Sequence, residues 1–254
     1  MHAGTLALLA GAGFVASFID SQVGGGGVIT LPALLAVGLP PAAASATNKV
    51  GGTSSALFAS ANYLRSGLVP LRKVLLFAPL ALLGGALGVW TFLHSDPSWL
   101  FPTILVVMGA MTAYVLLRPA FGTEDRLKAG WLPLLAMALA AFDIGTYDGL
   151  LGPGTGSFLL FALVTLLGYG FRRAAALGRV LNLASNVSAL AYWAFAGRVV
   201  WAVGIPMAAA MAAGGWVGSH VTLRHGDRWL KPLFLAITVA LMVRIVGKLL
   251  HWWP

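Results

Sequence analysis

Cysteine is absent from the chain, which excludes disulfides, thiolate catalysis and cysteine-based metal sites. Charge is scarce as well: Asp, Glu, Lys and Arg make up 9% of the residues, against roughly 25% in a soluble domain. So little polar surface cannot cover a chain of this size in water. The histidines (His2, His94, His220, His225, His251) are scattered, so a His-based metal cluster is not expected. No histidine-activated serine nucleophile is recognised, and no soluble domain is left to carry an active site or to bind nucleic acid. The sequence therefore predicts no enzyme, no cofactor and no nucleic-acid partner. The formal net charge of +9 is read as basic loops at a membrane surface. No Lys or Arg precedes the first apolar stretch, whereas a cleaved signal peptide has a basic leader. That stretch is expected to stay in the mature protein.

What is present in abundance is apolar sequence, with 59% hydrophobic residues. No Lys or Arg occurs from Met1 to Asn48, from Val74 to Leu117 or from Ala129 to Phe171. About 20 apolar residues carry a helix across a bilayer, so each stretch holds one or two crossings. The alternation of barrel strands is missing, and unbroken runs such as Val74 to Trp90 favour helices. The fold class expected is an all-α integral membrane protein.

The chain repeats itself at an offset of 128 to 130 residues. Asp20 matches Asp148, Gly24 matches Gly152 and Gly26 matches Gly154. Lys49 matches Arg179, Ser55 matches Ser185 and Gly67 matches Gly197. Gly84, Gly85 and Gly88 match Gly214, Gly215 and Gly218, and Trp99, Leu100 and Pro102 match Trp229, Leu230 and Pro232. The division expected is a first transmembrane repeat at 1–118, a cytoplasmic linker at 119–129 and a second repeat at 130–254. Each half opens on a Gly-interrupted apolar region (about 4–38 and 131–168). Three spans follow: about 43–65, 72–93 and 99–117, then 174–196, 201–222 and 230–250.

Lys and Arg set the orientation. Arg65, Arg72 and Lys73, then Arg118, Arg126 and Lys128, then Arg172, Arg173 and Arg179, and finally Arg224, Arg228 and Lys231 mark four cytoplasmic loops. The loop at Ser95 to Trp99 carries no Lys or Arg and is expected outside, while its repeat partner at His225 to Trp229 is basic and inside. The halves thus point in opposite directions, the inverted repeat of many secondary transporters. Both termini then lie outside; Arg244 and Lys248 weigh against that. Trp252 and Trp253 read as an interfacial anchor.

The glycine interruptions hold the chemistry. Gly24, Gly25, Gly26 and Gly27 are consecutive, and each costs about 1 kcal/mol relative to Ala inside a helix. Gly152-Pro153-Gly154-Thr155-Gly156-Ser157 also loses an amide donor at proline. Neither run is expected to stay helical, and broken backbone must be buried in protein or line a polar cavity. A helical hairpin with the glycines at its tip is predicted in each half, formed by two short spans or by a re-entrant pair. The helices after the tips, from near Val28 and near Ser157, aim free N–H groups and the positive end of their dipoles at the tip. Two such tips meeting near the midplane suit a small oxyanion. The plainer alternative is that the glycines only let helices pack closely, which is the favoured reading for Gly84, Gly85, Gly88 and their partners.

Asp20, Asp143 and Asp148 are the acids away from predicted loops, and ionisable groups in a membrane are functional candidates. Asp20 and Asp148 are proton-coupling candidates; pairing with a base or capping of free N–H groups is the alternative. Asp143 has no repeat partner. Lys49 and Arg179 either bring positive charge to the anion or snorkel to the headgroups. Thr47, Asn48, Asn182, Ser185 and Asn186 stand nearby as hydrogen-bonding groups, while Asn62 and Tyr63 read as packing residues. The candidate binding set is Gly24 to Gly27, Asn48, Lys49, Gly152, Gly154, Thr155, Gly156, Ser157, Arg179, Asn182 and Asn186.

Asp20 through Pro32, followed by Leu39-Pro40-Pro41 and Thr47-Asn48-Lys49, resembles the first-half signature of the sulfite exporter TauE/SafE family. Tyr147-Asp148-Gly149, Gly152 through Ser157 and Leu181 through Asn186 resemble its second-half signature. The resemblance implies a multi-pass permease of the bacterial cytoplasmic membrane that moves sulfite, sulfonates or similar sulfur-containing anions. Arg179 departs from it, since many relatives have Lys there, and Arg cannot give up its proton. An alternating-access carrier, with proton coupling through Asp20 or Asp148, is the leading expectation; a passive anion channel is the alternative. The partners expected are a small anion and the lipid bilayer, with a homo-oligomer left open.

Overall fold

The computed structural model describes residues 2–95, 115–117, 121–225 and 227–249. Nine long helices are described: α1 (Ala3–Val23), α2 (Gly27–Ala36), α3 (Pro41–Arg65), α4 (Leu71–His94), α5 (Trp131–Leu150), α6 (Thr155–Leu167), α7 (Phe171–Phe195), α8 (Trp201–His225) and α9 (Asp227–Leu249). No strand occurs among the described residues. The span expected at 99–117 lies outside them except for the helical residues 115–117, as do Trp99, Pro102, Trp252 and Trp253.

Both glycine runs break the helix, as their propensity dictates. Gly24 has φ 84° and Gly152 φ 85°, positive values that L side chains rarely adopt; with ψ −179°, Gly24 lies in a region essentially reserved for glycine. The hairpins are unequal. At about 1.5 Å per residue, the 21 residues of α1 reach the thickness of a bilayer core, whereas the 10 of α2 reach half of it. Likewise α5 has 20 residues and α6 13. Each hairpin therefore joins a full-length helix to a short return. Among the described residues, three helices (α1, α4 and α8) are long and apolar enough to cross a membrane.

The surface is greasy and the centre polar. Leu8, Leu75, Leu83, Leu139, Phe195 and Ile205 are exposed, while Ser17, Thr30, Ser55, Asn182 and Ser185 are buried. Lipid solvates leucine, but inside it every polar group must find a protein partner.

Packing follows the repeat offset. α1 lies on α8 and α5 on α4; α3 lies on α8 and α7 on α4; α3 and α7 lie on each other. The small-residue motifs explain the close approach. A Cβ on Gly84 or Gly88 would collide with the carbonyls of Phe142 or Thr146 on α5, and one on Gly214 or Gly218 with those of Phe14 or Phe18 on α1. These glycines pack backbone on backbone. Asn62 and Tyr63 tie helices together too: Asn62 Nδ2 donates to Trp216 O at 3.0 Å, and Tyr63 Oη to Ser21 O at 2.7 Å.

The central linker is fastened down. Arg126 N–H donates to Gly168 O at 2.7 Å, Lys128 N–H to Leu167 O at 3.0 Å and Phe171 N–H to Gly122 O at 2.7 Å. Asp125 accepts from Gly170 N–H at 2.7 Å and pairs with Arg173 at 2.7 Å. Burial, opposed by Arg173 and assisted by Asp125, pushes the neighbouring Tyr169 phenol above its ordinary range. A groove of about 390 Å³ here is lined by Lys73, Lys128, Leu134 and Tyr169 among others, so the basic ends of α4 and of the linker share one end of the molecule.

Candidate functional site

The two tips touch. Ser157 Oγ donates to Val23 O at 2.8 Å, and the Gly24 and Gly156 backbones leave no room for a Cβ on either. Around this joint stand the four repeat-related charges. Lys49 Nζ lies 2.8 Å from Asp148 Oδ1, and Arg179 Nη1 lies 2.5 Å from Asp20 Oδ2. Each acid is thus held by the base of the other half. Lys49, Asp148 and Arg179 are 5%, 2% and 3% exposed. Lys49 and Arg179 lie about two turns into α3 and α7 and are buried in the protein interior.

Each carboxylate has further partners. Asp20 Oδ1 accepts Gly26 N–H at 2.9 Å, at the start of α2, so it caps a helix as well as pairing with a base. Asp148 accepts Thr155 Oγ1–H at 3.0 Å and Ser185 Oγ–H at 2.7 Å. Arg179 also donates to Ser55 Oγ and, at 3.2 Å, to Asn182 Oδ1. Its Nε has no hydrogen-bond partner among the described residues, and Arg179 lines a void of about 10 Å³ with Gly24 and Gly156, room for one water.

A polar cavity of about 30 Å³ opens at the Lys49–Asp148 pair. Among the sequence-nominated residues, Asp20, Gly26, Gly27, Asn48, Lys49, Asp148, Gly152, Thr155, Gly156, Asn182 and Asn186 line it. Gly24, Gly25, Gly154 and Ser157 do not. Gly24 and Ser157 are spent on the contact between the tips, and Arg179, paired with Asp20, lines the smaller void instead. Asp143 is exposed on α5, outside the cavity lining. Three lining residues went unnoticed in the sequence: Thr30, Gly52 and Met211. Thr30 lies one turn past Gly26 and donates to its carbonyl at 3.2 Å. Gly52 lies one turn past Asn48, with Asn186 Oδ1 where a Cβ would go. Both spacings were readable once the helices were set; Met211, arriving from α8, gave no signal.

The cavity holds one buried ammonium, that of Lys49, with amide side chains and the backbone of a helix start, elements that receive negative charge in a low-dielectric setting. Among the described residues no group of three or more His, Asp or Glu stands close enough to hold a metal.

A helical membrane protein with a paired polar centre between two broken helices is the class this geometry defines. The family model of the sulfite exporter TauE/SafE matches residues 9–245, and the chain belongs to that family of membrane transporters. It is 37% identical over 241 residues to a probable membrane transporter protein of Haemophilus influenzae, covering 95% of this chain and 94% of that one. A probable membrane transporter protein of Sinorhizobium is 37% identical over 249 residues, 97% of this chain and 94% of its own. The probable membrane transporter protein YfcA of Escherichia coli is 32% identical over 244 residues, 94% and 90% of the two chains. No solved structure matches the chain significantly.

Proposed function

We propose that the chain is a permease of the bacterial cytoplasmic membrane for a small anion, a sulfur-containing oxyanion or an organosulfonate, and that it works by alternating access coupled to protons. The observation that carries this reading is the Lys49 ammonium: it is buried in the polar cavity, and its one partner among the described residues is Asp148. Burying a charge is costly unless it is paired, and a cation held by a single acid is one that an anion can claim. The halves at 1–118 and 130–254 are read as inverted, with 119–129 between them on the cytoplasmic face. The reciprocal packing of α1 on α8 and of α5 on α4 supports that reading, as does the grouping of Lys73 with Lys128. The small size of the cavity favours a carrier over an open filter.

A thermal-shift screen of the purified protein tests it with sulfite, sulfate, thiosulfate, taurine and sulfoacetate. A ligand at a hundred times its Kd adds about 2.7 kcal/mol of stability. At least one anion raises the melting temperature of the native protein, and Lys49→Gln loses that response. Silence toward every anion, or an undiminished response in Lys49→Gln, overturns the reading.

A further inference from the structure

We propose that Asp148, and not Asp20, takes up a proton when an anion binds, and that until then its carboxylate holds the anion's place on Lys49. This rests on the anion-permease reading above and assigns the coupling group within that site.

The two repeat-related acids differ in what surrounds them. Both partners of Asp20, the Gly26 amide and the Arg179 guanidinium, are pure donors. A proton on either oxygen of Asp20 would meet a donor, and Arg179 does not surrender its own proton. Arg179 is also fixed by Ser55 and Asn182. That pair is a permanent clasp.

Asp148 is built otherwise. Two of its three partners are hydroxyls, which accept as readily as they donate. Each hydroxyl also has a second acceptor in reach. Thr155 Oγ1 lies 2.7 Å from Gly152 O, and Ser185 Oγ lies 3.0 Å from Asn182 O. A hydroxyl has one hydrogen. If Ser185 turns it onto the Asn182 carbonyl, its lone pair faces Asp148 Oδ2, and a protonated Oδ2 donates to it. Thr155 goes on donating to Oδ1. The neutral acid is then as well bonded as the ionised one, apart from its hold on Lys49. The ammonium is left on the wall of the cavity without an acid of its own, because the other carboxylate in the lining, Asp20, is held by Arg179.

The other neighbours do not compensate. α4, packed along α5 at this point, meets it with Gly85 and Gly88 against Gly149 and brings no charge. From α7 the nearest charge is Arg179, already committed to Asp20. α3 contributes Lys49 itself. The cavity of about 30 Å³ takes one or two waters, and an oxyanion that enters it needs the cation that Asp148 now neutralises. One proton therefore enters Asp148 from solvent as one anion enters the Lys49 site, and both leave together.

The experiment uses purified full-length protein in weakly buffered detergent solution with a pH-indicator dye. The probes are sulfate, thiosulfate and methanesulfonate, whose own charges stay fixed across the neutral range. The expected result is one proton taken up per anion bound, with affinity rising by up to about tenfold for each unit the pH is lowered. Asp148→Asn binds at the native protein's low-pH affinity at every pH and takes up no proton. Infrared difference spectra of the native protein, anion-bound minus free, gain a carboxylic-acid C=O band; this readout needs no variant to fold. Anion binding without proton uptake, or uptake that persists in Asp148→Asn, overturns this proposal and leaves the anion reading standing. Failure of every probe to bind overturns both.

Discussion

Lys49 of the first half is paired with Asp148 of the second, while their repeat equivalents Arg179 and Asp20 pair in the reverse sense across the same joint. The charges of neither half are satisfied within that half. The two pairs thus join residues 20 and 49 to residues 148 and 179 at one centre.

Removing one member of the buried clasp leaves the other uncompensated, at a cost of about 3–5 kcal/mol, whereas replacing both with apolar groups costs far less. Asp20→Leu alone and Arg179→Met alone are expected to melt well below the double variant D20L/R179M in detergent. A double variant that melts below either single would show that the pair is not a stabilising unit of this kind.

Gly218 and Gly11 offer a comparison between one packed helix and its partner. A Cβ at Gly218 meets the Phe18 carbonyl, while Gly11 on α1 has nothing within 4 Å. Overpacking costs about 1–3 kcal/mol. Gly218→Ala should lower the melting temperature by several degrees and Gly11→Ala should leave it within error; equal effects would discount the backbone-on-backbone contact of α1 with α8.

The tips combine strain with collision. Gly24 and Gly152 share nearly the same positive φ, so Ala at either is strained, and more so at Gly24, whose ψ of −179° belongs to a region essentially reserved for glycine. Only at Gly24 does the new Cβ also strike the Ser157 amide; at Gly152 the nearest atoms are 3.4 Å away. Thermal melts should rank Gly24→Ala as clearly worse than Gly152→Ala. The reverse order would mean that the joint between the tips is looser than the geometry here.

Asp125 holds the linker to the loop between α6 and α7 through the Gly170 amide and Arg173. The pair is partly exposed, so its loss costs at most about 1 kcal/mol. Asp125→Ala should therefore leave the melting temperature nearly unchanged yet speed limited proteolysis within residues 121–128. Unaltered cleavage would show that the backbone bonds of Arg126 and Lys128 are enough to secure the linker.

The helices were legible because their causes are local. Apolar runs longer than a bilayer, a lack of Lys and Arg within them, and glycines at the breaks placed α3, α4, α7 and α8 within two or three residues of their observed ends. The unequal lengths of the hairpins were not legible, since the length of the return helix depends on what α2 and α6 pack against. The packing role of Gly84, Gly88, Gly214 and Gly218 was legible from their repetition, though the partner helix was not.

For the site, residue types and duplication nominated Asp20, Lys49, Asp148 and Arg179, with pairing to a base among the roles open to the acids. The sequence alone determined that this chain belongs in a membrane, that matching residues recur at an offset of 128 to 130, and that its scarce charges sit beside helix breaks, because composition and spacing are properties of the chain itself. The tertiary structure decided which acid meets which base, which glycines face the cavity and which are spent on the contact between the tips. Those relations span more than a hundred residues of sequence, and they exist only once α1 has packed on α8 and α5 on α4.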